Sequence, residues 1–407
     1  MAKQKWTDLP SRHSNLDSQA MDPAKSGICG VVADRRQRIL SIDALRGFDM
    51  MWIAGVGRVL KRAGAAMNND FGAAMAAQMQ HVDWAGLHII DLVFPTFVFL
   101  AGASWPFSLA SQRAKGFADR QIFWRIVKRF LILFVLGLVY HRFFRFDFSH
   151  CLYNSVLARV GFGWAVAAAT LLFCKRLKTV VWISVGIFAA YWLAGLLIPL
   201  AVNPPGVCPW APREVAAGRI VDNWLLNNLS HVFGPGFLEM QRQNVFAAFG
   251  CISSAFLGMY AGLMLKRDGW SPARKSGMLA LFALALGLGG WLMMLTGCPC
   301  VKPSWNATYI LVSGSIAAAL LALFHWLIDV KGRVAWSFPF RVIGMNSITV
   351  YMFYRLVDLE KTGKFFLEGT ANFFPKPWAE TITAAGAAAL AWLAMYWLYR
   401  KKIFIRV

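Results

Sequence analysis

Between residues 42 and 399 the chain repeats a single pattern: an apolar run, a short polar connection, and another apolar run. Runs of spanning length are expected over 42–60, 86–110, 123–140, 152–173, 179–200, 245–265, 276–296, 309–328, 338–355 and 380–399. Each holds roughly 17 to 25 residues, the length a helix needs to cross a hydrocarbon core of about 30 Å. Lipid offers no water to unpaired backbone groups, which leaves helices or a closed barrel, and the alternation of barrel strands is absent. The expected fold is all-α, a polytopic transmembrane helical bundle of about ten membrane-spanning helices.

Composition agrees where it bears on this. The chain is 58% hydrophobic and 15% charged, with a mean hydropathy of +0.50, which excludes an ordinary soluble enzyme. A net charge of +22 would suit nucleic acid, but the cations sit in short clusters between apolar runs, so no nucleic-acid partner is expected. The clusters are Arg113, Lys115 and Arg120; Lys175, Arg176 and Lys178; Lys266, Arg267, Arg274 and Lys275; Lys331 and Arg333; and Arg400, Lys401 and Lys402. They occupy every second connection. The positive-inside rule then puts both termini in the cytoplasm and His81 on the outer side. Residues 1–38 are polar and basic and lack the apolar core of a cleavable signal peptide, so they are expected to form a disordered cytoplasmic arm ahead of a transmembrane domain over 39–407.

Ionisable groups inside an apolar run are costly unless they meet a polar cavity, a partner or a substrate. The segment His81 to Gly102 carries His81, Asp83, Trp84 and Asp91 into such a run, and it is the expected active site. Asp91 either orients His81 or bonds a neighbouring helix. Arg159 either binds an acidic group or pairs with Asp91. Asp49 is expected to pair with Arg46 at i, i+3. Asn346 either glues helices together or contacts a cofactor. His81 and His88 are seven residues apart, wider than the i, i+4 spacing of a helical zinc pair, so no metal is expected.

The long connection 201–244 is expected outside, as a loop covering the entrance beside His81. Cys208, Cys298 and Cys300 share that side. A disulfide from Cys208 to Cys298 or Cys300 is the expectation, set against free, constrained loop cysteines.

The residues also carry a resemblance. Ser41-Ile42-Asp43-Ala44-Leu45-Arg46-Gly47-Phe48, His81-Val82-Asp83-Trp84-Ala85-Gly86, Asp91-Leu92-Val93-Phe94-Pro95 and Gly344-Met345-Asn346-Ser347 resemble the heparan-alpha-glucosaminide N-acetyltransferase family. Ser155-Val156-Leu157-Ala158-Arg159-Val160-Gly161 is similar to that family's fourth core helix, so the likeness runs over roughly residues 39 to 400. The resemblance implies a multi-pass membrane acetyltransferase, in a bacterial inner membrane, that moves acetyl from cytosolic acetyl-CoA to an amino sugar or other sugar acceptor on the far side. It implies no metal, and a homodimer only by analogy.

The family's active-site histidine corresponds to His81. An imidazole either removes a proton from the acceptor or accepts the acetyl itself. Arg46, Asp49 and Asn346 enter from cytoplasmic helix starts, while His81, Asp91 and Arg159 enter from outer starts. At 1.5 Å per residue each set lies within about 15 Å of its own face. A pantetheine arm would thread between them, contacting Arg46, Asp49, Arg159 and Asn346, with its nucleotide phosphates on Arg46 and the cytoplasmic basic loops. One departure stands out: human-type members have an asparagine late in the first core helix, where this chain has Gly57. A small-solute transporter is the rival reading, since midplane charges and broken helices suit a carrier as well.

Overall fold

The computed structural model describes residues 39–141, 143, 153–210, 213–233 and 244–405. The expected basic arm falls outside the described residues. From Leu40 onward the chain forms one compact unit.

Each expected run is helical over most of its described length. In chain order the helices are α1 (Leu40–Met51), α2 (Gly57–Met67), α3 (Asp70–Gln78), α4 (Val93–Ala114), α5 (Asp119–Tyr140), α6 (Val156–Phe173), α7 (Leu177–Val202) and α8 (Ala217–Phe233). They continue with α9 (Val245–Lys266), α10 (Pro272–Leu295), α11 (Ala307–His325), α12 (Phe338–Gly344), α13 (Ser347–Leu356), α14 (Leu359–Ala371) and α15 (Lys376–Arg400). Among the described residues, seven helices are long and apolar enough to cross a membrane. This is the build of an integral membrane protein.

The other three expected spans fall short for visible reasons. The first joins α1 to α2 through a π turn at Trp52–Val56 and carries Asp43, Arg46, Asp49 and Arg58. Gly55 sits in that turn at φ 116, where a Cβ would lie 2.8 Å from Ala388 Cβ. In α5 the cations Arg125, Lys128 and Arg129 fall within the expected span. The run 338–355, expected as one helix, is two: α12 ends at Gly344 and α13 begins at Ser347. The break lets Asn346 leave the helical ladder and bond the C-terminal segment, donating Nδ2–H to the Ile403 carbonyl at 3.1 Å and accepting the Ile405 N–H at 3.0 Å. The connection 201–244 is also more than a loop, because it contains α8.

Small residues let the helices that frame the centre approach closely, as they do where lipid gives no hydrophobic drive to association. On α9, Gly258 and Gly262 stand one turn apart. A Cβ at these positions would come 1.8 Å from the Phe99 carbonyl and 2.2 Å from that of Ala103, both on α4. Gly102 returns the contact, with the Ala255 carbonyl 2.1 Å from its missing Cβ. The α1–α12 crossing follows the same rule, Gly47 against the Phe340 carbonyl and Gly344 against that of Asp43. Two glycines of the motif stretches are thus explained by backbone approach.

Candidate active site

A 3-10 turn, Ile89–Leu92, leads into α4 and places Asp91 at its centre. The Asp91 side chain is only 1% exposed, so its two oxygens must find donors inside the protein. The backbone N–H of His88 donates to Oδ2 at 3.1 Å, and that of Val82 reaches the same oxygen at 3.4 Å. Oδ1 lies 2.7 Å from Nδ1 of His81 and 2.9 Å from Nζ of Lys302. The main-chain carbonyl of Asp91 accepts the Tyr309 hydroxyl at 2.7 Å, which ties the turn to α11.

His81 stands in contrast to its partner: its side chain is 64% exposed. The stretch of chain before it is held by His88, whose Nδ1 bonds the Gln80 carbonyl at 2.8 Å, and by Gln78, whose Oε1 accepts the Ile89 N–H at 3.1 Å. The two histidine rings therefore serve different partners. Nδ1 faces the Asp91 carboxylate, which only accepts, at 2.7 Å and the Lys302 ammonium, which only donates, at 3.0 Å; we assign the ring proton to Nδ1 on the shorter contact, which leaves the Nε2 lone pair on the imidazole's other edge.

Lys302 arrives from the connection between α10 and α11. That loop is clamped at many points. Ala85 and Val301 form an isolated antiparallel bridge, and the Gly86 N–H donates to the Cys300 carbonyl at 2.9 Å. Asn306 caps α11 by accepting the Tyr309 N–H at 3.0 Å and donates Nδ2–H to the Pro299 carbonyl at 2.6 Å. Trp305 donates Nε1–H to the Ser254 hydroxyl at 3.1 Å and packs edge-on against Phe94 with ring centres 4.5 Å apart. Lys302 is 21% exposed. Burial pushes its ammonium below the usual lysine range, and Asp91 pushes it back up. Beside this loop lies an open apolar cavity of about 480 Å³, lined by Gly86, Leu87, Met294, Pro299, Cys300 and Val312.

The structure thus brings His81 and Asp91 together and adds Lys302, which sequence reasoning missed. The signal was present: Lys302 is the single basic residue of an otherwise lean connection. Arg159 does not take Asp91 as its partner. Its guanidinium lies 5.2 Å from the centre of the Phe94 ring, and its Nε has no hydrogen-bond partner among the described residues.

The remaining candidates make no hydrogen bond or ion pair with His81. Arg46 donates Nη2–H to the Ser104 hydroxyl at 2.7 Å and pairs through Nη1 with Asp43 at 3.3 Å. It was expected to pair with Asp49. Helical side chains lean toward the N-terminus, so Arg46 reaches back to the preceding turn. Asp49 is 4% exposed, and its Oδ2 has no partner among the described residues. Asn346 is engaged by the C-terminal segment, as above.

The expected disulfide is not formed: Cys208, Cys298 and Cys300 are all free, Cys208 exposed and the other two buried. Cys298 is turned inward, with Asn306 Nδ2 at 3.5 Å from its sulfur and Thr308 bonded to its carbonyl at 2.8 Å. Burial pushes the Cys300 thiol up to about 12 and raises that of Cys298. The connection 201–244 meets the site another way, through the Trp84 indole N–H, which donates to the Trp210 carbonyl at 2.9 Å.

No family model matches the chain. Among curated proteins it is similar to the heparan-alpha-glucosaminide N-acetyltransferase of Homo sapiens, at 25% identity over 460 aligned positions covering 98% of this chain and 63% of that protein. The protein of the same name from Mus musculus is 25% identical over 91% of this chain and 60% of its own length. The chain spans about three fifths of the length of these relatives. A likeness that runs along nearly the whole chain, on an all-helical bundle, makes this protein a distant relative of the heparan-alpha-glucosaminide N-acetyltransferases.

Proposed function

We propose that the protein is a transmembrane acetyltransferase that takes acetyl from acetyl-CoA on the cytoplasmic side and delivers it to an amino or hydroxyl group of a sugar on the opposite side. The observation that carries this reading is an exposed imidazole whose Nδ1 is fixed, at 2.7 Å, on a carboxylate almost wholly buried. Such a pair orients the ring and stabilises the proton it gains.

Two routes use the same lone pair. In the relay, Nε2 attacks the thioester carbonyl, the C–S bond breaks, the CoA thiolate leaves, and an Nε2-acetyl imidazolium forms that keeps its Nδ1–H against Asp91. The acceptor's nitrogen or oxygen then attacks that acetyl carbonyl, the C–Nε2 bond breaks, the ring leaves as the neutral Nδ1–H imidazole, and the acceptor's proton passes to the freed Nε2 or to water. In the direct route, Nε2 removes the proton as the acceptor attacks the thioester carbonyl, the C–S bond breaks, and the CoA thiolate leaves and takes up a proton from the imidazolium or from water.

On the donor side, Arg46 and Arg159 are the cations suited to the phosphates and carbonyls of the CoA chain. Arg46 is oriented by Ser104 and Asp43. Asn346 supports this side indirectly by holding the C-terminal segment, and the uncommitted Oδ2 of Asp49 is available as an acceptor within α1. The positive-inside distribution of lysine and arginine supports cytoplasmic termini and an outward His81.

The test is acetyl transfer by the purified protein in sealed vesicles, with radiolabelled acetyl-CoA outside or inside and glucosamine in the opposite compartment. Labelled product is expected from the wild type in one orientation and none from His81→Ala. Uptake of glucosamine without acetylation would establish a carrier instead.

A further inference from the structure

Lys302 has a relation to His81 that its bond with Asp91 does not explain. Its Nζ lies 3.0 Å from Nδ1 of the ring as well as 2.9 Å from Oδ1 of Asp91, and the ring itself is 2.7 Å from that same oxygen. Three groups therefore meet at one oxygen. With the ring proton assigned to Nδ1 on its shorter contact, the carboxylate accepts from both nitrogens, and that assignment sets the ammonium and the Nδ1–H side by side as two donors.

The charges decide what this does. With an ionised Asp91 and a charged Lys302, the trio is neutral while the imidazole is neutral. A proton added to the ring would leave one positive charge uncompensated, 3.0 Å from another. If Lys302 were absent, the same proton would instead neutralise Asp91. The ammonium thus works against the imidazolium, and a neutral ring is the form whose Nε2 attacks or accepts a proton.

We propose that Lys302 is a positioning residue that holds the His81 imidazole in its neutral, Nδ1-protonated form by compensating the Asp91 carboxylate. This rests on the reading of His81 as the group that handles the acetyl. Among the described residues, the other charged or titratable groups around the trio are few. Exposed Asp83 follows His81 in the same loop, and His88 donates its backbone N–H to Asp91 while its ring is turned to Gln80. From α11, Tyr309 bonds the Asp91 carbonyl, and from the Lys302 loop comes the buried Cys300 thiol. From α6, the charge of Arg159 acts on Lys302 and adds to the cost of a further positive charge here.

The loop is built to hold Lys302 in place. The bridge from Val301 to Ala85 and the Gly86–Cys300 bond fix the chain on its N-terminal side. Asn306 and the buried Trp305, at φ 49, fix it on the other. The ammonium is delivered from a backbone that is already ordered, so only the side chain's own rotamers remain to be fixed.

The test compares wild type, Lys302→Met, Lys302→Gln and Lys302→Arg, each as the full chain in nanodiscs with 15N-labelled histidine. His81→Gln assigns the His81 signals. In the Met and Gln variants the imidazolium form of His81 is expected to persist to about one to two pH units above wild type, while Arg, which keeps the charge, stays within about half a pH unit. The acid limb of the kcat/KM profile should move in the same direction, so that well below that limb the neutral variants lose roughly tenfold in rate for each pH unit the limb moves. Gln keeps a donor for Asp91 and so guards against a loop that opens in Met. A ring titration that stays put in a folded neutral variant overturns the proposal, as does a loss of rate equal at every pH, which is what a mere strap between loop and α4 would produce. A ring titration that moves while the rate profile does not leaves the Lys302 assignment standing and removes His81 from the chemistry.

Discussion

Nζ of Lys302 and Oδ1 of Asp91 lie 2.9 Å apart although 211 positions separate them in the chain. One belongs to a loop and the other to the turn that opens α4. Their contact closes the connection between α10 and α11 over the end of α4, next to His81. The expected consequences of this arrangement, and of the packing beneath it, can be measured one at a time.

Asp91→Asn keeps the size of the side chain and removes its charge. It leaves the Lys302 ammonium without its counter-ion and presents an amide to donors that need an acceptor. Acetyl transfer is expected to fall about 10- to 100-fold or more, the usual effect of removing the carboxylate behind a functional histidine. Initial rates at saturating acetyl-CoA check this, and a variant within about threefold of wild type would show that Asp91 only packs.

Arg46→Ala is expected to weaken acetyl-CoA binding about tenfold while changing the rate of the bound complex little. The guanidinium is already oriented by Ser104 and Asp43, so it can meet an anion without a large ordering cost. Titration calorimetry at fixed ionic strength reads the affinity. Unchanged affinity would leave Arg46 as a structural tie between α1 and α4.

Thiol chemistry should separate Cys208 from Cys300. Cys208 is exposed and free, whereas the buried Cys300 thiol is held up near 12. At pH 8 a thiol of that kind is thiolate in only about one part in ten thousand, and the thiolate is the reactive form. Maleimide is expected to modify Cys208 without any reductant and to leave Cys300 untouched until the protein is denatured. Labelling of Cys208 only after reduction would instead show that it is bridged.

Gly258→Ala should be strongly destabilising, because its Cβ would sit 1.8 Å from the Phe99 carbonyl and force α9 away from α4. Gly186→Ala, with nothing within 4 Å of its Cβ, is the control. It should be neutral or stabilising by up to about 1 kcal/mol, since alanine is the better helix former. Thermal unfolding in one detergent compares the two directly. Equal melting temperatures would mean that the α4–α9 crossing can relax at no cost.

The helices and the His81–Asp91 pairing were legible in the chain because both are local. A run of apolar residues of spanning length needs only the hydrocarbon thickness and the closed hydrogen-bonding of a helix to specify it. His81 and Asp91 are ten positions apart, close enough for one turn to bring them together. What the sequence left open is long-range. Lys302 is 221 positions from His81 and reads locally as one cation in a lean loop, with nothing in its neighbourhood to name its partner. The Arg46 partner was misplaced because two carboxylates, Asp43 and Asp49, stand three residues to either side, and side-chain direction chooses between them. The disulfide expectation rested on shared sidedness, but burial of Cys298 and Cys300 is a property of how the loop packs. The split of 338–355 has the same origin: an apolar run predicts helix, and only the close approach of α1 to Gly344 and the bonds between Asn346 and the C-terminal segment explain where it breaks. Length and apolarity act along the chain and can be read there, whereas the choice of partner for each buried polar group is made by whichever distant element packing brings within about 3 Å.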